Sequence, residues 1–286
     1  NSQMPVSVRL FRKLLAALEY GDMLDSLCNQ LRPYEKEKGS TDAWCETWIH
    51  TIHQWFMKNK NYSTLAMRSV FKNIARSTRE VQIQRTDKIK VGVVGEIYVK
   101  FSPMGNNDLK AFLESQDCEV NMPGVMGYVE YCIANFALDI EYYGGKKYMQ
   151  IIWKMGLAIL DSLNNSMRKS MERYGFTGPG SFKKLLDGMK GIIHLGAKMG
   201  EGWLLSGEMV ELLRTGYPNI ICAQPFGCLP NHIMGKGVVN VLREKYPESN
   251  IAAIDYDPSA TKVNQENRIK LMLVVAKENM KKGQEK

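Results

Sequence analysis

The sequence predicts an α/β protein with three parts. Residues 1–87 form a helical N-terminal region. Residues 88–286 hold a parallel sheet of about four strands, with a helical insertion at about 124–214. Three observations predict this. Apolar residues recur at helical spacing from Ser7 to Arg79. Short β-branched runs begin at Lys88 and return at Asn219 and Asn250. Helical stretches separate those runs, and strands that alternate with helices pair in parallel through right-handed crossovers, giving a Rossmann-like sheet.

In the N-terminal region, Leu10, Leu14, Leu15 and Leu18 share helical spacing, as do Trp44, Trp48, Ile52 and Trp55, which read as a packed helix face. Between the two sets, Arg32 to Thr41 carries Pro33, Gly39 and Ser40 and reads as a loop, with a helix starting at Thr41 or Asp42. Lys88 to Val99 is the first strand, ending at Gly95-Glu96 before the polar loop Ser102 to Asn107. Asn106 or Asn107 is placed to cap a helix over 108–115, and Cys118 to Met122 reads as a second strand.

Gly124 to Tyr174 contains only weak breakers and predicts two or three helices. Their aromatic and Met spacing from Tyr128 to Met171 reads as core rather than as a cofactor box. A glycine-rich loop over 174–181 precedes helices over 182–194 and 206–214. The sheet resumes with a strand over 219–223, a helix over 233–246 and a strand over 250–255. A last amphipathic helix over 265–277 offers Ile269, Leu271, Met272 and Val275 to cover the sheet.

Composition narrows the function classes. The chain has 286 residues, 44% hydrophobic and 24% charged, enough for one or two sizeable cores. The most apolar stretch, Met149 to Leu160, is interrupted by Lys154, which argues against a membrane span. Asn1 to Arg9 lacks the pattern of a secretory leader, and position 1 is not Met, so the chain reads as a piece of a longer polypeptide. The six cysteines are widely spread with no close Cys-x-x-Cys pair, which favours reduced thiols in a cytoplasm and argues against a self-contained zinc ribbon or ferredoxin-like site. The net charge is +8, but the basic residues are dispersed, and the densest stretch, Lys277 to Lys286, is interleaved with acids. That pattern lacks the footprint of nucleic-acid binding.

In an open parallel sheet, ligands meet the carboxyl ends of the strands. Three loops qualify, 95–107, 222–236 and 255–264. The middle one, Cys222-Ala-Gln-Pro-Phe-Gly-Cys228-Leu-Pro-Asn-His232, is stiffened by two prolines and a glycine and sets Cys228 just before a helix, whose positive end favours a thiolate. Cys228 is therefore a candidate metal ligand or nucleophile, or else a buried inert thiol. Cys222 follows Ile220 and Ile221 and reads as core. His232 reads as a ligand or hydrogen-bond donor near Cys228, or as a helix cap. Gly235-Lys236-Gly237 would let backbone approach a phosphate with Lys236 supplying charge, or would simply allow close helix packing. It lacks P-loop spacing. Glu96, Asp255 and Asp257 are candidate acceptors or general bases at the same edge, or turn formers and caps, with Pro258 after Asp257.

These segments carry a resemblance. Val91-Gly-Val-Val-Gly-Glu-Ile-Tyr-Val-Lys100 with Asn106-Asn107, Gln224 to His232 with Gly235-Lys-Gly237, and Ala253-Ile-Asp-Tyr-Asp-Pro258 with Asn264-Gln265 and Asn267 to Leu273 resemble the C-terminal part of the acyl-CoA dehydratase activase-related proteins. Arg32-Pro-Tyr-Glu35 with Gly39 and Thr41 fits the same pattern. That family is similar to the iron-sulfur subunits of 2-hydroxyacyl-CoA dehydratases. The resemblance implies an anaerobic, cytoplasmic redox protein with low-potential electron transfer, Cys228 being one ligand of a 4Fe-4S cluster and the other ligands lying in upstream domains of the same polypeptide. It also implies Glu96, Asn106, Gly235, Lys236 and Gly237 as cofactor-binding positions, and an acyl-CoA substrate or partner subunit. The alternative is a non-redox binding or scaffold domain that docks an acyl-CoA or a partner.

Overall fold

The computed structural model describes residues 7–257 and 261–284. Residues 1–6, most of the stretch read above for a leader, lie outside it, as do Pro258 and the two residues after it and the last two lysine-tail residues.

The N-terminal region is helical as predicted. Ser7 caps α1 (Val8–Leu31) by accepting from Leu10 N at 3.1 Å. A single 3₁₀ turn, Arg32–Tyr34, follows. Glu35 then accepts from Gly39 N and Thr41 N at 2.8 and 2.9 Å, which starts α2 (Ser40–Met57) within the predicted turn. The third helix, α3 (Thr64–Ser77), is capped by Ser63. Trp44 and Trp48 both donate their indole N–H to Ser77 Oγ, at 3.0 and 2.8 Å, so the packed tryptophan face of α2 is real and is tied to α3.

Four strands form one parallel sheet in the order β2-β1-β3-β4, with β1 Ile89–Gly95, β2 Cys118–Asn121, β3 Asn219–Pro225 and β4 Asn250–Tyr256. The fold is Rossmann-like α/β, as the alternation of strands and helices predicts. Side chains alternate across the sheet, so Ile221 and Ala223 join one buried layer while Ile220 and Cys222 join the other. The first layer is closed by α5 (Leu109–Ser115) and α11 (Lys262–Gln284), the second by α9 (Trp203–Arg214) and α10 (Val239–Lys245).

Between β1 and α5 the chain makes a short helix, α4 (Ile97–Phe101), where the sequence reading carries the strand as far as Val99 and then a loop; β1 instead stops at Gly95. The insertion holds two long helices, α6 (Val125–Tyr143) and α7 (Lys147–Glu172), and the short α8 (Phe182–Gly188). Leu163, Met167 and Met171 of α7 belong to the same apolar core as α1, α2 and α3. The insertion thus packs on the helical region as well as on the sheet.

Four expectations need correction. The helix predicted over 182–194 stops at Gly188, and Gly191 then adopts φ +70°, which breaks the helical path. The helix predicted over 233–246 is two pieces, a π-helical turn Asn231–Lys236 and α10. On α11 the buried apolar residues are Ile269, Met272, Leu273 and Ala276, whereas Leu271 and Val275 are exposed. The reading of Tyr128 to Met171 as core holds for one side only, because Phe136, Tyr143, Ile151, Ile152, Met155 and Ile159 are exposed. Among the described residues, no helix is long and apolar enough to cross a membrane.

Candidate functional site

The strand order turns around between β1 and β3, and the loops that leave these strands part at their carboxyl ends. Gly95 makes this crossing possible. Its φ is +152°, and a Cβ there would sit 1.9 Å from the Ala223 carbonyl oxygen, so no other residue fits. One residue on, Glu96 N donates to that same oxygen at 3.1 Å.

Glu96 itself is a helix cap. Its Oε2 accepts from Val99 N at 2.8 Å and starts α4. Asn106 is buried and fully engaged: its amide donates to Val99 O and Lys100 O, and its Oδ1 accepts from Leu109 N, the first amide of α5. Asn107 donates to Gln265 Oε1 at 2.7 Å, and Gln265 donates to the Asp255 carbonyl at 3.1 Å. The motif segments after β1, after β3 and after β4 therefore converge on one edge.

At the end of β3, fully buried Gln224 donates to Asp255 Oδ1 at 2.6 Å and lies 3.4 Å from His232 Nδ1. The imidazole Nε2 is 3.9 Å from Asp255 Oδ1, and Arg268 reaches Asp255 Oδ2 at 3.8 Å. His232 is thus turned to Gln224 and Asp255, while its backbone N–H donates to the Cys228 carbonyl at 3.0 Å. Asp257 is half-buried just beyond β4.

Cys228 is half-buried on the turn after β3. The neighbour of its sulfur is Asn231, fully buried, whose Nδ2 donates to Sγ at 3.2 Å. Phe226, two residues before Cys228, and Leu229, the residue after it, are 71% and 67% exposed, and Ile233 is 52% exposed, so the Cys228 turn carries an exposed apolar rim. Asn231 Oδ1 and Gln224 Oε1 are buried and have no hydrogen-bond partner among the described residues, a costly arrangement in a closed interior.

Cys222, by contrast, is fully buried, and burial pushes its thiol up to about 12. A Cβ on Gly235 would meet its Sγ at 2.9 Å, so Gly235 is small in order to let the π-helical turn lie on Cys222. The other glycine of the pair is equally constrained: a Cβ on Gly237 would meet Ile233 O at 2.5 Å, and Gly237 N already donates to His232 O. Lys236 between them is exposed.

Across the β1/β3 crevice, Glu201 Oε1 accepts from Ile97 N at 3.1 Å, and a Cβ on Gly200 would touch the Pro230 ring at 3.2 Å. The loop before α9 thus fills the crevice beside the Cys228 turn. Beneath it the buried Lys100 ammonium pairs with Glu208. Next to that pair, α1, α6, α7, α9 and the end of β2 enclose a cavity of about 90 Å³, walled by Asp22, Glu130, Asn164, Glu208 and Glu211 among others. Burial raises Glu130 well above the usual carboxylate range and Glu208 to about 7, and the neighbouring Glu19 to about 8.

No family model, curated protein or solved structure matches the chain.

Sequence reasoning found the Cys228 turn but not Asn231, Gln224, Glu201 or the acidic cavity. The Pro-Asn-His run was the one available signal for Asn231. The carboxylates of the cavity lie on three separate helices, α1, α6 and α9, and had none.

Proposed function

We propose that this chain is the C-terminal α/β domain of a protein related to the acyl-CoA dehydratase activase-related family, in which Cys228 is one thiolate ligand of a 4Fe-4S cluster used for low-potential electron transfer. The observation that carries the reading is half-buried Cys228, its sulfur held by the buried Asn231 amide on a turn that carries the exposed rim of Phe226, Leu229 and Ile233. Thiolates that hold such clusters take hydrogen bonds at sulfur and sit in apolar surroundings, both of which tune the potential.

The described residues suit one ligand and not a whole cage. Among them no three Cys, His, Asp or Glu side chains are grouped to hold a metal, and Cys222 is covered by the π-helical turn. The remaining thiolates then belong to upstream domains of the same polypeptide or to a partner subunit. A cluster bound there supplies one-electron transfer. The chain's own residues fix one corner of it: Asn231 orients the sulfur, and the β3–β4 pair Gln224 and Asp255 anchors the turn. The test is iron and acid-labile sulfide in protein purified anaerobically together with everything that co-purifies. Cys228→Ala loses iron and Cys222→Ala keeps it; unchanged iron in Cys228→Ala ends the proposal.

The exposed Lys236 beside the apolar rim favours a second reading, a non-redox domain that docks an acyl-CoA. Binding of a CoA thioester that weakens in Lys236→Ala and is indifferent to Cys228→Ala selects it.

A further inference from the structure

The outer side of the α6–α7 hairpin is apolar and uncovered among the described residues. On α7 the exposed Tyr148, Ile152, Met155 and Ile159 follow one another at spacings of four, three and four residues, with Ile151 beside them. That spacing is the seam by which one helix packs along another. Phe136 and Tyr143, seven residues apart and so on one face of α6, are exposed too. Phe136 stacks on Trp153 of α7 with ring centroids 5.0 Å apart, so the two exposed strips adjoin.

The core does not need this seam. The inner face of α7 is filled by Leu160, Leu163, Met167 and Met171, all buried. Gly156, one turn after Ile152, has open space above it: a Cβ there would meet nothing within 4 Å. Glycine inside a helix costs about 1 kcal/mol relative to alanine, and no packing within the chain requires it at this position. A small residue beside an exposed seam leaves room for a second helix to lie close.

Area and charge select the occupant. The exposed parts of the seven apolar side chains amount to roughly 800 Å² per copy, which is what one partner gives to a standard interface and more than the largest apolar patch of an ordinary monomer. Lys154, within the seam's span, is paired with Glu141 at 3.5 Å, so the middle of the face carries no net charge to call for an oppositely charged partner. Lys146 and Lys147 stand exposed at the start of α7. A two-fold axis across the middle of α7 runs two such helices antiparallel, sets Ile152 against Met155 and Tyr148 against Ile159, and keeps the lysines of the two copies at opposite ends. We propose that this face is the interface of a homodimer, closed by two-fold packing of α7 on α7 with the α6 aromatics at its sides.

The test is light scattering after size exclusion on the intact chain, at concentrations up to about 0.1 mM, where an interface of this size is occupied. Expected is twice the 32.5 kDa mass of the chain. Hydroxyl-radical oxidation of the native chain needs no variant: Met155, 60% exposed in one copy, becomes protected as concentration rises, while Met104, 84% exposed in the loop after α4, is oxidised throughout. Ile152→Asp with Met155→Asp abolishes the dimer and leaves the circular dichroism spectrum unchanged, and Leu271→Asp on the exposed face of α11 leaves the dimer intact. A monomeric mass over the whole range overturns the proposal, whether the chain stays alone or instead floats with anionic lipid vesicles. A dimer that survives the double substitution, or one in which Met155 stays open to oxidation, overturns it as well.

Discussion

Lys100 Nζ lies 2.9 Å from Glu208 Oε1 and 3.0 Å from Oε2, with both side chains almost wholly buried beneath the β1/β3 crevice. The pair ties α4 to α9 under the candidate site. Removing one partner strands the other, so Lys100→Met costs about 3 kcal/mol at pH 8. The loss shrinks toward pH 5, because Glu208, raised to about 7 by burial even with Lys100 present, then takes up a proton. Lys100→Met combined with Glu208→Leu regains most of the stability. Urea unfolding of the three variants at both pH values checks this.

Glu19 makes stability depend on pH in the same direction. Its carboxyl is fully buried, neither oxygen has a partner among the described residues, and burial followed by Asp22 raises it from 4.5 to about 8. In the window between those values the folded chain holds a proton that the unfolded chain has released. The contribution is fully present below pH 4.5 and is lost as pH rises through about 8. Glu19→Gln therefore stabilises the protein at pH 8, by a few kcal/mol at most, and flattens its melting temperature between pH 5 and 8 as followed by circular dichroism.

Gly95→Ala should be among the most damaging small substitutions. The added methyl would stand 1.9 Å from Ala223 O at a φ of +152°. A loss of at least about 4 kcal/mol is expected, read as insoluble protein or as a fall of the denaturation midpoint. Gly127→Ala, which has open space around it, is the matched control.

Alkylation separates the cysteines of the sheet. Iodoacetamide on the native chain at pH 8 modifies half-buried Cys228 well before Cys222 and Cys118, whose thiols burial pushes up to about 12 and about 11. Peptide mass mapping over time gives the order, and labelling of Cys222 at the rate of Cys228 would contradict the buried placement.

What the sequence made legible follows from how local each signal is. The strands were readable because β-branched runs such as Val91 to Val94 and Ile220-Ile221 need both faces covered. The α11 face was not, because Leu271 to Val275 are apolar without a break, and only the position of β4 decides that Leu273 turns inward and Leu271 outward. The π-helical turn depends on Gly235 lying on Cys222, thirteen positions earlier in the chain, a packing fact that no propensity carries. The prolines and glycine of the Cys228 turn announced a stiff loop, but which of Asn231 and His232 faces the sulfur is set by that turn's unusual pitch. Glu96 and Asn106 were read as possible functional groups, and their hydrogen bonds are those of caps.

The order β2-β1-β3-β4 also has a kinetic side. The centre of the sheet pairs Val91 with Asn219, and everything from α4 to α9 lies between them. Contacts so distant in sequence close slowly, whereas α1 to α3 can assemble from neighbours. A nascent chain therefore carries β1 with one bare side until β3 has been synthesised and docked, and during that interval the apolar strand is open to pairing with other chains. Slow refolding with concentration-dependent loss to aggregates, relieved by dilution, is the behaviour this topology imposes.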